Sequence, residues 1–109
     1  MQVKKLKSKI HNIPVFNTKV HYHGSCFLGH ELMKKGNISC YEQIHIYNVT
    51  NGNRFVTYAL LDNENSEKVT VLGAAAHLVD ISDLLIICTY ALFEENEYHE
   101  PVVLNFSKE

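Results

Sequence analysis

The Gly24-Ser25 pair is the bond in this sequence that could change its own covalent structure. The serine hydroxyl can attack the carbonyl of the preceding glycine and turn the peptide bond into an ester. Glycine favours that attack because it has no obstructing side chain and reaches unusual dihedral angles at little cost. Elimination from the ester leaves a dehydroalanine, which hydrolyses to a pyruvoyl group. Because Gly-Ser pairs are common, the pair predicts this chemistry only in the right context.

Four other side chains could serve such a group, but each also has an ordinary structural interpretation. Arg54 stands beside an Asn-Gly turn and can be a surface charge. Tyr58 can be a core aromatic and Thr57 an ordinary strand residue. Lys9 ends a run of lysines that is typical of a solvated strand edge. None of the four predicts a function alone.

The histidines suggest metal binding and the cysteines suggest nucleophilic catalysis, but neither set of residues is sufficient to predict its chemistry. His21 and His23 are two residues apart, so on a strand they would share a face and could bind zinc. A zinc site also needs a third and usually a fourth ligand, so we predict no metal. Three cysteines without a CxxC pair are typical of reduced thiols in a cytoplasm. Free cysteines are most often small hydrophobic residues rather than nucleophiles.

Length and composition indicate one domain over residues 1–109. A chain of 109 residues supports one modest core. The net charge of −2 argues against a general nucleic-acid binder, which needs a basic excess. There is no apolar stretch of about 18 residues that could span a membrane, and the N-terminus lacks a signal-peptide pattern. We therefore expect a cytoplasmic protein with neither nucleic acid nor membrane as a partner.

Short strands dominate the predicted secondary structure. Ile44 and Ile46 alternate with polar neighbours as in a half-buried strand, and Asn51-Gly52 predicts a hairpin because both residues tolerate positive φ. A short helix is predicted over residues 30–35, with a glycine closing it. Many short strands separated by turns indicate an all-β barrel or sandwich. The other predicted strands cover residues 55–61, 68–72, 84–93 (fully buried) and 102–106 (at an edge).

Four segments, by their order and separations, resemble the aspartate 1-decarboxylase family, whose members depend on a pyruvoyl group. The resemblance covers nearly the whole chain. The second and third segments are specific, and the last is only supportive. The segments are Lys9–His11, Tyr22–Ser25, Asn48–Tyr58 and Gly73–His77.

The resemblance implies a mainly β fold, the double-psi β-barrel with short helices, assembled as a homotetramer with active sites between neighbouring subunits. It implies a proenzyme that cleaves itself between Gly24 and Ser25. The products are a β chain, residues 1–24, and an α chain, residues 25–109, that begins with pyruvoyl. The implied reaction converts L-aspartate to β-alanine and CO2 for pantothenate and coenzyme A synthesis. Some relatives need an accessory protein for cleavage, so a maturation factor is a further partner to consider.

The resemblance also implies residue roles, position by position. Ser25 becomes the pyruvoyl group, whose ketone condenses with the substrate amine to an imine that takes up electrons as CO2 leaves. Thr57 is implied in self-processing, as a donor to the oxyanion, and Tyr58 in protonating the carbanion. Lys9 and Arg54 are implied in holding the substrate carboxylates. Further substrate-binding positions are Thr57, Gly73, Ala74 and Ala75, and positions lining the site are His11, Tyr22, Tyr47 and Leu72.

The roles of Thr57 and Tyr58 raise a geometric conflict. In a regular strand Arg54, Val56 and Tyr58 point to one face, while Phe55 and Thr57 point to the other. Two solutions are open. A β-bulge could re-aim one of the two side chains, or the two could serve different sites across a subunit interface.

Position 72 departs from the family pattern, which usually has asparagine where this chain has Leu72. Leucine can neither donate nor accept a hydrogen bond. Three hypotheses therefore stand: an aspartate 1-decarboxylase, a pyruvoyl decarboxylase for a substituted aspartate, and an uncleaved barrel homologue that acts as a binding or structural protein. The retained Gly24-Ser25 motif, with the four implied side chains around it, favours the first two.

Overall fold

The computed structural model describes residues 1–22 and 25–107, so His23 and Gly24, and with Gly24 one side of the predicted cleavage bond, lie outside the described residues. Seven strands, one α-helix and one 3-10 helix make up the described chain. In chain order they are β1 (Gln2–Lys19), β2 (Cys26–Gly29), α1 (His30–Gly36), β3 (Gln43–Asn48), β4 (Arg54–Asp62), β5 (Val69–Leu72), the 3-10 helix (Gly73–Leu78), β6 (Leu84–Glu94) and β7 (Val102–Asn105).

Six of the strands close into a β-barrel. Neighbours follow the order β5-β2-β4-β3-β6-β1, and a further pairing of β5 with β1 closes the ring. The β1–β5 and β2–β4 pairs are parallel, whereas the other pairs around the ring are antiparallel. Strand β7 adds to β1 from outside the ring, as the predicted edge strand. The mainly β barrel with short helices that the resemblance implied is confirmed.

Branched apolar side chains fill the barrel and fix its strand register. Ile44 and Ile46 of β3 and Leu85 and Ile87 of β6 are fully buried. Each contributes about 1.5–3 kcal/mol by burial. Because side chains alternate along a strand, a slip of one residue would turn this set outwards. The same register decides which side chains of β4 face the interior.

Strand β1 was not among the predicted strands, although the run of lysines at its start was interpreted as a strand edge. Its apolar pattern, Ile10, Ile13 and Val15, all of them buried, does not alternate regularly, because the register shifts between Ile10 and Ile13. Register shifts bend it twice against β6 and once against β5. The bends let one strand pair with β6 over most of its length and with β5 at its end.

Three local predictions need correction. Strand β6 is not fully buried, because beyond Thr89 its residues are half-buried or exposed. The predicted hairpin between β3 and β4 is present, but of its Asn51-Gly52 pair only Gly52 has a positive φ, at 81°. Helix α1 includes its final glycine, and the left-handed cap is Asn37, with φ 55°.

Candidate active site

Ser25 lies immediately before β2, where strand pairing holds its backbone. Cys26 pairs with Val71 of β5 in an antiparallel ladder, and the carbonyl of Ser25 accepts a hydrogen bond from the backbone N–H of Leu72 at 2.7 Å. Ser25 itself is half-buried. The position of the serine is therefore set by backbone contacts with β5, and the 3-10 helix follows directly on that strand.

One concavity joins Ser25 to three of the other predicted residues, and we call it the Ser25 cleft. It has a volume of about 260 Å³ and contains Ser25, Thr57, Ala74 and Ala75 in its wall. Gly73 begins the 3-10 helix with φ 63°, a conformation that favours glycine. The resulting turn lets the two small alanine side chains border the serine without filling the space. The wall is completed by Phe55, Val56 and Leu78.

Strand β4 is regular where Thr57 and Tyr58 lie. Its pairing with β3 has no register shift from Arg54 to Tyr58. Exposure alternates along it: Val56 is 52% and Tyr58 38% exposed, whereas Thr57 is half-buried. The bulge solution is therefore wrong. Within one chain, Thr57 and Tyr58 point to opposite faces of the strand.

Arg54 belongs to a second group on the outer face of the barrel, which we call the Arg54 cluster: Lys9, Tyr47, Arg54, Cys88 and Tyr90. Arg54 lies opposite Tyr47 on the paired strands, and its guanidinium carbon is 4.0 Å from the centre of the Tyr47 ring. Lys9 of β1 lies opposite Cys88 of β6. The cluster is thus assembled by cross-strand neighbours on four strands.

Both cations of the cluster act on the Cys88 thiol. Burial raises the pKa of Cys88, while a hydrogen bond with Tyr90 and the charges of Lys9 and Arg54 offset part of the increase. Within residues 1–22 and 25–107, the salt bridges do not include Lys9 or Arg54. A guanidinium grips a carboxylate with two parallel hydrogen bonds and an ammonium adds a point charge. The cluster is suited to a dicarboxylate.

Comparisons with known proteins agree with this chemistry. The family model described as aspartate decarboxylase matches residues 1–109. The chain belongs to the aspartate decarboxylase family. It is 52% identical to an aspartate 1-decarboxylase of Nitrosococcus oceani over 92 residues, which cover 84% of this chain and 73% of that protein. It is 44% identical to the aspartate 1-decarboxylase of Hydrogenovibrio crunogenus, with 99% of this chain and 85% of the relative covered.

A third relative extends the comparison across species. The aspartate 1-decarboxylase of Acinetobacter baumannii is 47% identical over 98 residues, covering 88% of this chain and 78% of the relative. All three alignments take in most of the barrel. Identity at this level accounts for the confirmed fold.

None of the four predicted lining residues is in the wall of the Ser25 cleft; Tyr47 belongs to the Arg54 cluster. Tyr22 borders a different concavity, of about 380 Å³, with its ring 5.8 Å from that of Phe27. The side chain of Leu72 is fully buried, but its backbone N–H contacts Ser25. His11 lies on β1 beside β7, and its Nδ1 is buried with no hydrogen-bond partner among the described residues.

The described residues contain no group of three or more His, Cys, Asp or Glu side chains that could hold a metal ion. His23, one half of the histidine pair, lies outside the described residues. None of the helices in the described ranges is long and apolar enough to cross a membrane.

Five residues of the two groups were not predicted as site residues: Phe55, Val56 and Leu78 of the Ser25 cleft, and Cys88 and Tyr90 of the Arg54 cluster. His45, also not predicted, packs edge-on against Tyr90 with ring centres 4.9 Å apart. Leu78 reaches the cleft from the 3-10 helix, and the others are placed by strand register rather than by any local motif. Alternation would have assigned His45 to the outer face of β3, but only the β3–β6 pairing brings it to β6.

Proposed function

We propose that this chain decarboxylates L-aspartate to β-alanine and CO2, using a pyruvoyl group that it makes from Ser25 by cleaving its own Gly24-Ser25 bond. Family membership and the names of the relatives support the reaction. The observation that carries the pyruvoyl chemistry is the Ser25 cleft, which unites the serine with the Thr57 hydroxyl and two alanines. Cleavage divides the single domain into a β chain, 1–24, and an α chain, 25–109.

Self-cleavage proceeds through an ester. The Ser25 oxygen bonds to the glycine carbonyl carbon as the C–N bond breaks, and the hydroxyl proton passes to the nitrogen. Elimination then removes the Cα proton and releases the glycine carboxylate, and hydrolysis of the dehydroalanine releases ammonia and leaves pyruvoyl. The Thr57 hydroxyl can stabilise the oxyanion of the first step, and losing such a donor costs about 3 kcal/mol. The hydrogen bond from Leu72 to the Ser25 carbonyl holds the serine in place meanwhile.

The Ser25 cleft fits a pyruvoyl group and a small substrate. Two alanines in its wall leave room beside the serine. Its volume of about 260 Å³ is just below the roughly 300–1,000 Å³ of sites for drug-sized ligands, which suits a substrate as small as an amino acid. When present, the pyruvoyl group supplies an electrophilic carbonyl that takes up the substrate amine and accepts the electron pair released with CO2. The protein's part is to orient the substrate and to exclude water, with Gly73, Ala74 and Ala75 shaping one side.

Substrate recognition requires a second copy of the chain. Arg54 and Tyr58 are on the face of β4 opposite to Thr57, so one chain cannot direct all three at one substrate. A closed homo-oligomer places the outer face of one copy over the cleft of the next. We therefore propose a homotetramer with composite sites, in which Lys9 and Arg54 hold the carboxylates. Tyr58 returns a proton to the carbon that lost CO2.

Leu72 does not favour a different substrate. Its side chain is fully buried, and it reaches Ser25 by a backbone N–H that any residue but proline would supply. L-aspartate therefore remains the proposed substrate over a substituted aspartate. We further propose that the product enters pantothenate synthesis in the cytoplasm, where the three free thiols would stay reduced.

Intact-mass spectrometry of the purified, denatured protein tests the proposal. We expect two fragments divided after Gly24, the larger one lacking an amino terminus, and CO2 release from L-aspartate in proportion to the cleaved fraction. A Ser25→Ala variant is the matched uncleaved control. A full-length species that persists on long incubation, both alone and with an extract supplying a maturation factor, would contradict the pyruvoyl chemistry.

A further inference from the structure

Two tyrosines of the Arg54 cluster share a hydrogen bond that the proposed function does not use. The hydroxyls of Tyr47 and Tyr90 are 2.9 Å apart in a partly buried position. They come from β3 and β6. The His45 ring packs beside both, with its centre 4.9 Å from that of Tyr90 and 6.5 Å from that of Tyr47.

Either hydroxyl can be the donor of this hydrogen bond. The bond with Tyr47, followed by burial, raises the pKa of Tyr90. Whichever hydroxyl donates, the bond ties the end of the Tyr47 ring to Tyr90.

The Tyr47 ring is also the support of the guanidinium group. Arg54 lies over it at 4.0 Å from the ring centre, and the two residues are cross-strand neighbours. A tyrosine ring that is anchored at its hydroxyl end cannot swing away from the cation. The anchor is the Tyr90 hydroxyl, on a third strand.

We propose that Tyr90 is a positioning residue for carboxylate recognition: its hydroxyl holds the Tyr47 ring in place beneath Arg54. This inference rests on the proposed role of Arg54 as the carboxylate-binding group. Specificity for a dicarboxylate then depends on a series of contacts, in which Tyr90 holds Tyr47 and Tyr47 supports Arg54. Tyr90 itself does not touch the substrate.

The test removes only the Tyr90 hydroxyl, with Tyr90→Phe. We expect the KM for L-aspartate to rise about 3- to 10-fold, the range that corresponds to one net hydrogen bond, with kcat per cleaved chain within about twofold. Succinate, a dicarboxylate without an amine, reports carboxylate recognition alone, and its inhibition constant should rise by the same factor. Tyr98→Phe, at an 85% exposed tyrosine, is the matched control and should leave both constants unchanged.

A double variant tests whether Tyr90 acts through Tyr47. Tyr47→Phe should raise both constants at least as much as Tyr90→Phe, and adding Tyr90→Phe to it should have no further effect, since coupled residues are non-additive. Unchanged constants in Tyr90→Phe, an effect confined to kcat, loss of self-cleavage, or additive effects in the double variant would each overturn the inference.

Arg54→Ala separates failure of this inference from failure of the proposed function. If that variant leaves the KM and the succinate constant unchanged, the role proposed for Arg54 is wrong. If it raises both constants while Tyr90→Phe raises neither, Arg54 keeps its role and only the positioning by Tyr90 is wrong.

Discussion

The Ser25 cleft and the Arg54 cluster are built in opposite ways. The cleft is shaped by backbone: the start of a strand, a glycine with positive φ and two alanines place Ser25 and Thr57 beside open space. The cluster is shaped by long side chains, which reach across paired strands and pack a cation on an aromatic ring. Small residues leave room for a reaction, whereas large ones grip a charged ligand.

Strand β4 connects the two regions and also keeps them apart. Thr57 belongs to the cleft, while Tyr58 points outwards with Arg54. Variants of Ser25 and Thr57 should therefore impair self-cleavage, and variants of Arg54 and Tyr58 should impair turnover of the cleaved enzyme.

The largest effect is expected for Thr57→Ala. Without the hydroxyl, the oxyanion of the acyl shift loses a donor, and self-cleavage should slow by about 100- to 1000-fold. The measurement is the time course of the two fragments by mass spectrometry. Thr57→Ser restores a hydroxyl and should cleave at nearly the native rate. Native cleavage by Thr57→Ala would remove Thr57 from self-processing.

Tyr58→Phe should cleave normally but turn over slowly. If the phenol returns the proton to the substrate carbon, kcat should fall by about 100-fold with little change in KM, the lower end of what a general acid contributes. Tyr41→Phe, at an exposed tyrosine 6.5 Å away ring to ring, is the control. An uncleaved Tyr58→Phe protein would break the division between the two faces of β4.

Arg54→Ala should also cleave normally and lose affinity for substrate. A charge-assisted hydrogen bond contributes about 1.5–3 kcal/mol, so we expect the KM for L-aspartate to rise about 10- to 100-fold. Lys35→Ala, which removes an exposed cation paired with Glu67, is the matched control and should behave as wild type. A native KM in Arg54→Ala would show that the outer cluster is not the carboxylate site.

The smallest expected difference is in how fast the cysteine thiols of the two regions react with an alkylating reagent. Burial raises the pKa of Cys26, next to the cleft, to about 12. Burial also raises the pKa of Cys88, but a hydrogen bond with Tyr90 and then the charges of Lys9 and Arg54 oppose it. A raised pKa lowers the thiolate fraction at every pH below it, so labelling should accelerate with rising pH. At pH 8 iodoacetamide should modify exposed Cys40 first, Cys88 next and Cys26 last. Rapid labelling of Cys26 would show that the β2 start is open.

Much of the fold was predictable because local patterns agree with it. Alternation at Ile44 and Ile46 and the Asn51-Gly52 turn predicted β3 and the hairpin that follows. The length of β1 was not predictable, because its bends and its three strand partners depend on contacts distant in sequence. Closure of the barrel was not predictable either, because it depends on the pairing of all six strands together.

The candidate site was only partly predictable for the same reason. Alternation placed Thr57 and Tyr58 on opposite faces but could not exclude a bulge, which required the observed β3–β4 register. The resemblance supplied Arg54 and Tyr47 but not the contact between them. Tyr90 carries no motif, and its bond to Tyr47 joins residues 43 positions apart.

Subunit complementation tests most directly whether the cleft of one chain works with the cluster of another. Ser25→Ala keeps its outer cluster but cannot form pyruvoyl, while Arg54→Ala forms pyruvoyl but lacks the cation. Mixed oligomers from co-expression should recover about a quarter of wild-type activity on L-aspartate, since one interface in four pairs the two intact halves when subunits assemble symmetrically at random. Activity no greater than that of the two variants purified separately and summed would contradict the composite site.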